Sequence, residues 1–267
     1  VSVLGIGILM GGAWAYEALS FGGFWAWDPV ENASLIPWIT IVGAAHVMVV
    51  NQRKNKSLYT AIFLTLITYV LVMYANFLVH SGVLGDTSVH SFTGNGLKQQ
   101  HLFFLLFLIT LSATLLLLKN RLRFLYLGAS AFLVIAAWLA EIPIAAIVTF
   151  LGMTVVLLVV SYQKHFPKPT QEEPLWSREF WIFMGAIVLI VSAAQVALET
   201  SKPIWNILAE PFSQPLLNLY SITDIEGFKS LAEGKLAPHS DRIGFFNKWQ
   251  VPFAFIVTFL IAFTQFM

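Results

Sequence analysis

The sequence predicts an all-α, polytopic integral membrane protein with about eight transmembrane helices. Three observations lead there. Of 267 residues, 58% are hydrophobic and only 11% charged, whereas soluble domains carry about 25% charged residues. Apolar runs near the roughly 20 residues needed to cross a bilayer recur along the whole chain. Lysine and arginine gather in alternate connecting segments, as the positive-inside rule expects. The net charge of +1 carries no basic field for nucleic acid. The chain has no cysteine, which excludes disulfides, thiolate metal sites and cysteine nucleophiles.

Taken in order, residues 1–50 hold a span at 1–18, an aromatic stretch, and a short span at 36–50 with Trp38 at its edge. Residues 51–124 hold spans at 58–79 and 101–118 around a loop at 80–100. Residues 125–163 read as an extra hairpin of two spans, 125–140 and 144–162. There "EIPI" (141–144) interrupts a 38-residue apolar stretch, and proline disfavours a helix running through it. Residues 164–198 supply a polar loop and a span at 180–198. Residues 199–250 read as a solvated connector, and 251–267 as the last span. The chain begins and stops inside apolar runs, so it reads as an internal fragment with its first and last spans cut.

The short segments 51–56, 119–123 and 164–178 contain nine of the fifteen Lys and Arg, against Lys98 alone in 19–35, 80–100 and 141–143. This bias places 19–35, 80–100 and 199–250 outward. In a bacterium that is the periplasmic side of the inner membrane.

The outward stretch "FGGFWAWDPVENASLIPW" (21–38) concentrates aromatic rings, two glycines and two carboxylates. Trp25, Trp27 and Trp38 suit an interfacial belt, since indole is apolar with one polar tip. Trp14, Tyr16, Phe21 and Phe24 make the cluster denser than a belt requires. Gly22 and Gly23 allow something flat to approach the backbone. Asp28-Pro29 marks a turn, and Asp28 or Asn32 can cap the helix that follows. Glu31 reads as a solvated interfacial acid. The surface suits a large flat apolar ligand with a polar edge: a porphyrin, a quinone head group or another protein's helix.

"GGAWAYEALSFGGFWAWDPVENASLIPW" (11–38) closely resembles the tryptophan-rich WWD segment of heme-handling membrane proteins, the family of CcmF, CcmC and the CcsA-type cytochrome c synthases. "FLVHSGVLGDTSVHSF" (77–92) and "LWSREFW" (175–181) resemble the CcmF type, the heme lyases of cytochrome c maturation. The chain departs from the family at His80, where arginine is common, and in the hairpin at 125–162.

The resemblance implies a heme lyase subunit that holds heme at the outward platform for thioether attachment to apocytochrome c. It implies Trp14, Trp25, Trp27, Asp28, Glu31 and Trp38 as platform residues and His90 as an axial ligand of the delivered heme. His46 lies within a span, where polar residues are costly and are either paired or functional. The resemblance makes it the axial ligand of a b-type heme. The second ligand of each pair is expected outside this chain. Implied partners are apocytochrome c, a heme chaperone and other maturation proteins, membrane lipid, and quinol as a source of electrons. His80 and His101 read as interface residues, and Arg242 and Lys248 as contacts for partner proteins. The alternatives are a heme exporter or transporter, or a non-catalytic membrane scaffold that binds quinone or a partner.

Overall fold

The computed structural model describes residues 1–18, 23–54, 57–85, 87, 88, 90, 98–166 and 174–266. Among these residues there are ten helices and no strand: α1 (Ser2–Ala18), α2 (Pro29–Lys54), α3 (Leu58–His80), α4 (Lys98–Leu116), α5 (Asn120–Leu139), α6 (Pro143–His165), α7 (Arg178–Thr200), α8 (Lys202–Thr223), α9 (Glu226–Glu233) and α10 (Arg242–Thr264). Seven of them, α2 to α7 and α10, are long and apolar enough to cross a membrane. With 17 residues, α1 falls just below that length, yet it occupies the first expected span. The protein is an all-helical, multi-pass membrane protein. Phe21 and Gly22 of the aromatic stretch lie outside the described residues.

Two expectations are corrected. The short span at 36–50 is the middle of a 26-residue helix that starts at Pro29. Proline is well suited to the first helical position, because its fixed φ is helical and its missing N–H would be unpaired there anyway. Pro37 is accommodated inside the helix, as prolines often are in membrane helices packed by neighbours. The connector at 199–250 is also not a plain loop, since it carries α8, α9 and the first turns of α10.

The chain forms two compact units. The first comprises Val1–Ser112, Pro167–Thr200 and Pro238–Met267, and the second Ala113–Phe166 and Ser201–Ala237. In the first, α2 packs on α1, α3 and α7, and α7 packs on α10. Ala44 and Val47 of α2 meet Ala61 and Leu64 of α3 and Ala186 of α7 in a buried cluster. Small side chains let backbones approach closely, which matters in lipid because burial from water does not drive helices together there. A Cβ on Gly43 would lie 3.0 Å from Ile190 Cδ1 of α7.

Polar contacts add to the packing. Asn32 Nδ2 of α2 donates to Thr200 Oγ1 of α7 at 3.1 Å. Ser192 Oγ of α7 donates to Gln250 Oε1 of α10 at 2.6 Å, and Gln250 Nε2 donates to Gln195 Oε1 at 2.7 Å. At the far end of α2, Arg53 and Lys54 lie 3.7 and 4.0 Å from Glu179 in the first turn of α7. Each charge sits where its helix dipole favours it.

In the second unit α5 packs on α6, and α8 packs on α6 and α9. The hairpin turns at Glu141, whose φ of 53° is left-handed. Buried Tyr126 hydrogen-bonds Thr154 Oγ1 at 2.9 Å, and the Leu118 N–H donates to Ser161 Oγ at 3.3 Å. Asn206 ties α8 to the segment after α9 through both backbone groups of Leu236.

Replacing Gly43 with leucine should cost about 1–3 kcal/mol by overpacking the α2–α7 contact. Gly128→Ala, where an added Cβ meets nothing within 4 Å, should be neutral or slightly stabilising. Thermal unfolding in detergent compares the two.

Candidate functional site

The turn entering α2 organises the site, and a reciprocal capping box builds it. Asp28 Oδ1 accepts the Val30 N–H at 3.0 Å, while Glu31 Oε2 accepts the Asp28 N–H and the Ala26 N–H, both at 3.0 Å. These bonds satisfy backbone donors that a helix start otherwise leaves open. Glu31 is therefore a structural acceptor that shapes the turn.

Asp28 does more than cap, and is 4% exposed. Ser88 Oγ donates to its Oδ1 at 2.5 Å, and the His90 N–H donates to Ser88 Oγ at 3.1 Å. His90 Nδ1 lies 3.2 Å from the same Oδ1, at ion-pair distance and off the ideal hydrogen-bond line. On the other side Arg242 Nη1 stands 3.9 Å from Asp28 Oδ2. Arg242, read from sequence as a partner contact, thus belongs to the site's interior wiring.

Trp27 has a φ of 55°, a left-handed conformation rare outside glycine and asparagine. Three contacts hold it there. Its ring stacks on Phe246 of α10 with centroids 5.0 Å apart and planes at 14°. Its Nε1 donates to Asn247 Oδ1 at 2.8 Å. Asn32 Nδ2 donates to its carbonyl at 3.2 Å. Phe245 and Phe246 pack inward: Phe246 is buried with Ile36 and Val196, with Phe245 and Trp27 against them.

Apart from Asp28, which lines none of them, the expected residues separate into three cavities. Trp14, Trp25, Glu31 and His90 line one of about 430 Å³, together with Gly7, Gly11 and His80. Its volume lies in the range of small-molecule and cofactor sites. Trp14 and His90 have ring centroids 6.3 Å apart. Trp27 and Trp38 instead line a neighbouring cavity that Trp25 also borders. The left-handed backbone at Trp27 turns its indole to α10, and Trp38 Nε1 reaches back to the Val1 carbonyl at 3.2 Å. His46 lines a third cavity with Arg178, Trp181 and Gln265, and its Nδ1 lies 2.8 Å from the Val42 carbonyl. Among the described residues no three His, Cys, Asp or Glu side chains are grouped to hold a metal ion.

Three histidines outside the expected set are also engaged. The rings of His80 and His101 stack with centroids 5.7 Å apart. His239 pairs with Glu199 at 3.3 Å and stacks on Phe245 at 3.7 Å.

The family model described as cytochrome C assembly protein covers residues 1–84, the region that contains α1, the Trp25–Asp28 turn, α2 and α3. The chain belongs to the cytochrome c assembly family, and to its CcmF type. It is 39% identical over 201 residues to the cytochrome c-type biogenesis protein CcmF of Pseudomonas fluorescens, which covers 75% of this chain and 24% of that one. Identity to CcmF of Escherichia coli K12 is 37% over 201 residues with the same coverage. Identity to CycK of Bradyrhizobium diazoefficiens is 45% over 89 residues, 33% of this chain and 13% of that one. The chain thus spans about a quarter or less of the length of these relatives. No solved structure matches it.

Sequence reading missed Ser88, Arg242 and Phe246 as parts of the site. Ser88 had a signal, standing two residues before His90 in "SVH". Arg242 had none, since it is 214 residues from Asp28.

If the capping box sets the turn, Glu31→Ala should lower stability by about 1 kcal/mol. Glu31→Gln, which keeps an acceptor oxygen, should recover most of that loss in the same melting experiment.

Proposed function

We propose that this chain is the heme-holding part of a CcmF-type heme lyase, presenting heme for thioether attachment to apocytochrome c. The observation that carries this reading is convergence. Trp14 from α1, Trp25 from the turn, Glu31 from α2 and His90 from the segment after α3 meet on one largely apolar cavity.

The residues present fit a porphyrin. Gly7 and Gly11 lie one helical turn apart, and a Cβ on either would meet nothing within 4 Å, so that part of the wall is backbone. Trp25 Nε1 is buried without a hydrogen-bond partner, and indole N–H is a donor only, suited to an anionic or carbonyl edge. His90 has its Nδ1 beside a carboxylate, the usual arrangement of a histidine that ligates through its other nitrogen. Heme supplies the vinyl groups to which the two thiols of a substrate Cys-x-x-Cys-His segment add, and a chain without cysteine contributes neither thiol.

The protein's own part is positioning. His90 holds the iron, Trp14 and Trp25 border the ring, and the apolar walls exclude water. His46, with Nδ1 on the Val42 carbonyl, would hold a resident b-type heme, which would supply electron transfer from quinol. Trp27 and Trp38 support the platform from the neighbouring cavity, and a heme chaperone and other maturation proteins deliver to it. The working location is the bacterial inner membrane, with the tryptophan-rich turn on the periplasmic side.

Full-length protein in detergent should show a b-heme spectrum that His46→Ala removes. An unchanged spectrum in that variant excludes His46 as a ligand. His90→Ala should keep that spectrum and reduce cytochrome c formation in cells at least tenfold. Normal cytochrome c levels would falsify the role given to His90.

A further inference from the structure

We propose that Asp28 is a positioning residue for His90: its carboxylate, at ion-pair distance from the ring's Nδ1, orients the ring so that Nε2 serves the cavity, while Arg242 stands behind the carboxylate. The inference rests on the reading of His90 as the iron ligand, and extends it to two residues that need not touch heme.

The geometry is specific. Both the ring and the backbone of His90 refer to one oxygen. Nδ1 lies 3.2 Å from Asp28 Oδ1, and the His90 N–H reaches Ser88 Oγ, which itself donates to that oxygen. Capping alone does not account for an aspartate here, because asparagine caps a helix equally well. A carboxylate at 4% exposure is costly unless donors surround it. It is held by the Val30 N–H, the Ser88 hydroxyl and the Arg242 guanidinium. Retaining a full charge at such a site has a use if a neighbour reads it. A ligating imidazole that donates its second N–H to a carboxylate is fixed in tautomer and orientation and becomes a stronger donor to the metal.

The contrast with His46 supports this. Its Nδ1 faces a neutral backbone carbonyl of its own helix, whereas His90 faces an ionisable group braced by a cation from α10. The two histidines are therefore set at different donor strengths. A stronger donor favours ferric iron and lowers the potential of the heme it holds.

The test uses full-length protein in detergent carrying its membrane heme, titrated with added hemin and followed by absorbance. Asp28→Asn keeps a capping oxygen and therefore the fold. It should weaken hemin binding about 10–100-fold and raise the midpoint potential of the bound hemin. The melting temperature of the protein without added hemin should stay the same. Arg242→Gln should also weaken hemin binding, through a less firmly held carboxylate, and Arg242→Lys should restore much of it.

If Asp28→Asn leaves affinity and potential unchanged while His90→Ala loses binding, the positioning role is wrong and the ligand reading stands. A melting temperature that falls along with affinity makes Asp28 merely structural and overturns the proposal. Unchanged hemin binding in His90→Ala removes the ligand reading and this inference with it.

Discussion

A buried carboxylate has to be surrounded by donors and counter-charge, and those Asp28 recruits come from three parts of the chain. The Val30 N–H ties it to the start of α2, the Ser88 hydroxyl to the segment after α3, and the Arg242 guanidinium to α10. Removing any one leaves charge imperfectly compensated in a poorly solvated place, which is why such clusters hold their geometry. The position of His90 follows from this requirement, because its ring and its N–H both lead back to the same oxygen. Trp27 follows as well. Its left-handed backbone is sustained by the stack on Phe246 and the bond to Asn247, from the same end of α10 that supplies Arg242.

The helices beneath provide a frame stiff enough to hold that cluster. In lipid, association rests on close packing and interhelical hydrogen bonds rather than on burial from water. The first unit uses both. Gly43, Ala44, Ala61 and Ala186 bring backbones together, and Asn32–Thr200 and Ser192–Gln250 bond across the helices. Asn32 joins frame to site directly, since its side-chain nitrogen also donates to the Trp27 carbonyl.

Much of the fold was legible because its cause is local. A run of apolar residues of bilayer length forms a helix whatever surrounds it, so eight spans could be placed from composition. The reading failed where polarity and helicity part company. Residues 202–223 are polar enough to resemble a connector and contain Pro211 and Pro215, yet they form α8. The span at 36–50 was drawn short because hydropathy does not register the capping box that extends the helix back to Pro29. Trp14, Trp25 and His90, grouped on a motif resemblance, line one cavity. Trp27 and Trp38 were assigned to the same surface, but they border a different cavity. Alternation in a sequence does not show which way a left-handed residue turns its side chain.

By itself, then, the sequence determined a multi-pass helical membrane protein with a tryptophan-rich turn, a capped helix after it, and histidines within and beside its spans. These depend on hydrophobic length, residue chemistry and short-range spacing, all of which are written along the chain. Only the tertiary structure decided which of these residues meet. It put His90 against Asp28 across 62 positions and Arg242 against Asp28 across 214, and it divided the tryptophans between cavities. Such pairings depend on helix packing and on where a buried charge finds its donors, and neither leaves a periodic mark in the sequence.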